Sequence, residues 1–167
     1  EYVQVNMVNP RRDLDGPDRA QRLHRDLNRA LMLGSVFWLG LDKLPYLEDD
    51  TREYLDAALG LRARLTPLIR GARYVDMDGV VSASDGLQVG RWVMADDRDL
   101  YIVVNPGRVA DGVVVIPTGQ RAVKTDSDAY KHMVVDDFDI DGSSNRVRCE
   151  PCSDGLEIHL HDAEVVC

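Results

Sequence analysis

The densest group of metal-ligand side chains in the chain is Cys149-Glu150-Pro151-Cys152 together with His159 and His161. Two thiolates at C-x2-C spacing plus two imidazoles are the donor set of a tetrahedral zinc site. If the segment from Leu156 to His161 is extended, His159 and His161 share a face, and a hairpin could fold them toward the cysteines. The spacing fits no zinc-finger form, and both short motifs occur without metal. The reading adopted is a turn with inert thiols and no metal or other cofactor. A structural site on Cys149, Cys152, His159 and His161 is the alternative. A redox role for the cysteine pair would need a helix N-terminus to stabilise a thiolate, whereas the surrounding pattern is of strands.

Two oxygen-rich runs, Asp136-Asp137-Phe138-Asp139-Ile140-Asp141-Gly142 and Asp96-Asp97-Arg98-Asp99, would suit calcium by composition. Neither has the ligand order of a calcium loop with its distal Glu, so both read as solvated acidic turns. The glycines around Gln88 and Val109 lack phosphate-loop spacing, and no serine sits in a nucleophile-elbow motif. The aromatics that could stack on a sugar ring are Trp38, Trp92, Tyr74, Tyr101 and Tyr130. Trp38 lies inside an apolar run and reads as core; the face occupied by Trp92 is not set by the pattern around it.

These residues are carried by 167 amino acids with 44% hydrophobic and 29% charged content, a folding balance. No apolar run approaches the ~20 residues of a membrane-spanning helix, so no membrane partner is expected. The opening Glu1-Tyr2-Val3-Gln4-Val5 lacks the basic start and apolar stretch of a signal peptide, and a first residue other than Met is expected of a cut piece. The formal charge is −9, from 23 Asp and 6 Glu against 17 Arg and 3 Lys. That sign disfavours a nucleic-acid partner. Abundant short carboxylates with few lysines resemble a salt-adapted surface, high-GC codon usage being the other explanation. Three cysteines make no disulfide framework, which fits a cytoplasmic location and leaves secretion open.

The element pattern changes near residue 75. Tyr2 to Val8 alternates as a strand does, and Asn9-Pro10 ends it. A helix starting after Gly16-Pro17 puts Ala20, Leu23, Leu27, Ala30 and Leu31 on one face and Arg19, Arg22, Arg25, Asp26 and Arg29 on the other, with Gly34 as its stop. Ser35 to Leu41 is a continuous apolar run, as in a strand covered on both sides. Asp50 and Glu53 have capping-box form, and the following helix is expected to turn Leu55, Ala58, Leu59, Leu65, Leu68 and Ile69 inward, to kink at Pro67 and to end at Gly71. Strand, helix, strand, helix implies parallel strands. Beyond Val75, strands are expected near 80–83, 87–95, 100–105, 112–116, 133–138, 146–149, 156–160 and 163–166. Asp-Gly and Pro-Gly turns separate many of them, the pattern of an antiparallel sandwich.

Asp26-Leu27-Asn28-Arg29-Ala30-Leu31-Met32-Leu33-Gly34 before Ser35-Val36-Phe37-Trp38, then Leu61-Arg62-Ala63-Arg64-Leu65-Thr66-Pro67-Leu68-Ile69-Arg70-Gly71, then Leu100-Tyr101-Ile102-Val103-Val104-Asn105-Pro106, and finally Asp154-Gly155-Leu156-Glu157-Ile158-His159-Leu160 with Glu164-Val165-Val166 form a loose but chain-long pattern. It resembles the C-terminal part of glycoside hydrolases of the amylase-like and α-galactosidase-like barrel clans. The resemblance implies an α/β part (residues 1–74) made of the last two strand–helix units of a (β/α)8 barrel. An antiparallel β-sandwich (residues 75–167) would follow it. It implies a carbohydrate substrate and the remainder of the barrel as partners. The two catalytic carboxyls such chemistry requires would lie outside this chain, so the chain is not expected to be a complete enzyme. What remains could line the cleft: Asn9 and Arg11 after the first strand, Asp42 and Lys43 after the second, set against the plainer reading of solvated loop residues. Two other readings stay open at this point: a free-standing carbohydrate-binding sandwich, and a small α+β protein with the Cys/His metal site.

Overall fold

A computed structural model describes residues 5–8, 19–39, 49–95, 98–105, 111–117, 137–138, 147–161 and 165–166. The first part is strand β1 (Val5–Val8), helix α1 (Arg19–Met32), strand β2 (Val36–Leu39) and helix α2 (Asp49–Ile69). As the crossover length implied, β1 and β2 pair in parallel, Val5 opposite Val36 and Val8 opposite Leu39. Helix α1 packs against both strands and against α2. Its inward residues Leu23, Leu27, Ala30 and Leu31 are buried, while Arg22, Arg25, Asp26 and Arg29 are exposed, as the 3.6-residue period requires.

Gly34 ends α1. At φ 63° it donates its N–H to Leu31, and Ser35 donates to Ala30, the paired bonds of a Schellman cap. In α2 the buried stripe is Thr51, Tyr54, Leu55, Ala58, Leu61, Leu65 and Ile69. Leu59 and Leu68, expected inward, are 39% and 40% exposed. Each sits one residue, about 100° of rotation, away from a stripe member and so falls on a flank. The helix continues through Pro67 to Ile69. The Thr66 hydroxyl donates to the Arg62 carbonyl, and Gly71 at φ 82° follows the last turn.

The rest is antiparallel. Strands β3 (Arg73–Tyr74), β4 (Ser82–Ala83), β5 (Gln88–Val93), β6 (Asp99–Val104), β7 (Asp111–Ile116), β8 (Asp137–Phe138), β9 (Val147–Cys152), β10 (Gly155–His161) and β11 (Val165–Val166) form two sheets. Their orders are β4-β7-β10-β9 and β3-β5-β6-β11-β8. Asp-Gly turns at Gly79, Gly86 and Gly155 carry the positive φ angles these connections need. Leu87, Val89, Tyr101 and Val103 meet Val114, Ile116, Leu156, Ile158 and Leu160 in a core shared by the two sheets. The other face of the five-stranded sheet, through Trp92, Ile102 and Val104, packs on Leu27, Leu31, Tyr54, Leu61 and Ile69 of the helices. Each fully buried Leu or Ile contributes roughly 1.5–3 kcal/mol relative to exposure. The molecule is therefore a mixed α/β structure in which one sheet is covered on both faces. Among the described residues no barrel closes, and no helix is long and apolar enough to cross a membrane.

Candidate functional site

Because Val8 pairs with Leu39, β1 and β2 finish level at the same end of the parallel pair. The segments that begin there carry Asn9 and Arg11 after β1, and Asp42 and Lys43 after β2. These four residues lie outside the described ones. The register therefore fixes the shared end from which both segments depart, the end where parallel α/β folds bind ligands.

Helices α1 and α2 start from that same end, and between them they enclose polar groups that the sequence reading missed. The His24 ring stacks on Tyr54 with centroids 3.6 Å apart and planes 7° from parallel. Tyr54 is buried, and its hydroxyl donates to Oδ1 of the equally buried Asn28 at 2.6 Å. A polar bond made inside the helix interface fixes the rotation of α1 against α2 more specifically than leucine contacts do. The signal available in the sequence was the polar pair Asn28 and Thr51 interrupting otherwise apolar helix stripes. At the C-terminal end of α1, Arg62 Nη2 donates to the Gly34 carbonyl at 2.7 Å. Burial lowers the Arg62 pKa, and the cation lies at the negative end of the α1 dipole.

The sugar-stacking candidates are committed elsewhere. Trp92 is 9% exposed and donates its indole N–H to the Met32 carbonyl at 3.0 Å. Tyr74 leans on Trp92 with centroids 5.1 Å apart and bonds Asp76 at 3.2 Å. Burial and the Asp76 carboxylate push the Tyr74 phenol up to about 12. Tyr101 is buried between the sheets, where burial raises its pKa. The side chain of Trp38, and Tyr130, lie outside the described residues. Asp99, which ends the acidic run and opens β6, holds Arg91 at 3.0 Å, and this bond raises the Arg91 pKa. Arg91 also donates to the Asp78 carbonyl at 2.8 Å and so ties down the 76–79 turn, where Asp76 adopts φ 56°.

The cysteine segment is a strand rather than a turn. β9 runs through Cys152, and the turn falls after it, before Gly155. Pro151 is accommodated because β9 ends its sheet among the described residues, and an edge strand tolerates a residue without an N–H. Cys149 is paired with Ile158 and Cys152 with Gly155. Positions three apart in one strand belong to opposite faces of a sheet. The side chains of Cys149 and His161 lie outside the described residues. Cys152 is a free, half-buried thiol. His159 Nε2 lies 3.2 Å from Glu157 and 3.9 Å from Glu150, so its described neighbours are carboxylates. Among the described residues no group of three or more His, Cys, Asp and Glu side chains is arranged to hold a metal ion.

Compared with known proteins, the chain matches no family model, no curated protein and no solved structure.

Proposed function

We propose that this chain is the C-terminal portion of a carbohydrate-active hydrolase, two strand–helix units of a (β/α)8 barrel followed by a β-sandwich that covers their helices. The observation that carries the reading is the parallel β1–β2 pair. Parallel strands normally lie inside larger sheets, and each of these two has one strand neighbour among the described residues. Val36, on the apolar strand β2, is 46% exposed. Around the exposed side of α2, Leu59, Gly60, Ala63, Thr66 and Pro67 form an uncharged, mostly small surface, suited to the close approach of another helix.

On this reading the segments after β1 and β2 complete the sugar cleft. Arg11 or Lys43 donates to a sugar hydroxyl or an acidic sugar, and Asp42 accepts from two neighbouring hydroxyls. The carboxyl pair that breaks the glycosidic bond comes from strands outside this chain. The sandwich has a structural task, closing the apolar side of α1 and α2. A free-standing sugar-binding sandwich has less support, since Trp92, the aromatic best placed for it, is part of the core.

The experiment has two arms. The isolated chain is assayed on a panel of aryl-glycosides and is expected to leave them intact; turnover would refute the absence of a catalytic pair. In a longer polypeptide containing this chain, Asp42→Ala is expected to raise KM for a glycoside about tenfold with a smaller change in kcat. A longer polypeptide without glycosidase activity would overturn the proposal.

A further inference from the structure

We draw no further inference here: the strongest candidate, the strip of exposed guanidinium groups that Arg22, Arg25 and Arg29 present along the solvent side of α1, carries nothing because nothing in the structure shows what covers it.

Discussion

The antiparallel sheets and the parallel pair treat their edges differently. Among the described residues of the sheets, β4, β3 and β8 are outermost with two residues each, while β9, the fourth edge, contains Pro151. Short edges and prolines are the devices that stop a sheet from recruiting another strand. The parallel pair has neither. Its strands read Val-Asn-Met-Val and Val-Phe-Trp-Leu, uncharged and free of proline. One region is built to stop; on the proposed reading, the other is built to be continued. Between them, α1 and α2 are covered by the five-stranded sheet, and α1 packs on the parallel pair.

The largest effect should come from cutting the link between the two regions. Trp92→Ala removes a buried indole from the helix–sheet core together with its bond to Met32, and is expected to cost about 3–5 kcal/mol in urea unfolding. A cost under about 1 kcal/mol would mean the helices do not depend on the sheet. Hydrogen exchange compares the regions directly. Amides of β6, buried between helices and partner sheet, should exchange roughly tenfold to a hundredfold more slowly than those of β1 and β2 in the isolated chain. Equal protection would show that the pair needs no further neighbours.

A smaller effect is expected from Tyr74. Its folded pKa of about 12 lies above the unfolded value near 10, so the folded state keeps its proton longer. The contribution is intact below pH ~10 and is lost as pH rises from there toward ~12. Tyr74→Phe should flatten part of the alkaline fall in Tm, measured with ultraviolet titration of the phenols; an unchanged profile would remove Tyr74 from the account. The smallest effect concerns the strand edge. Val36→Lys, at a position already exposed, should alter the stability of the isolated chain by no more than about 0.5 kcal/mol. In a longer polypeptide containing this chain, the proposal expects the same change to lower Tm several-fold more than it does in isolation. Equal shifts in the two settings would argue that nothing covers this residue.

Much of the layout was legible because single periodicities governed it. The α1 stripe of Leu23, Leu27 and Leu31 and the Asp-Gly turns each follow from one local rule. Legibility failed where two surroundings compete for one element. In β5, Val89 faces the partner sheet while Trp92 faces the helices, so both sides of the strand are apolar and alternation gives no inside. Strand β3, at two residues, is too short to show any period. The α2 leucines misled because a helix covered along part of its circumference tolerates apolar residues on its flanks. In the candidate site, the common end of β1 and β2 followed from crossover length alone. The His24–Tyr54–Asn28 arrangement could not, because it depends on how two helices are rotated against each other.

The bond from Trp92 to Met32 joins residues 60 apart. The same indole lies within 2.7 Å of where a side chain on Gly34 would begin, at the turn that launches β2. As the chain leaves the ribosome, that turn is made long before the residue that wedges it has been synthesised. The helices therefore emerge before the indole that packs on them, and the turn between α1 and β2 gains that contact only once β5 has followed.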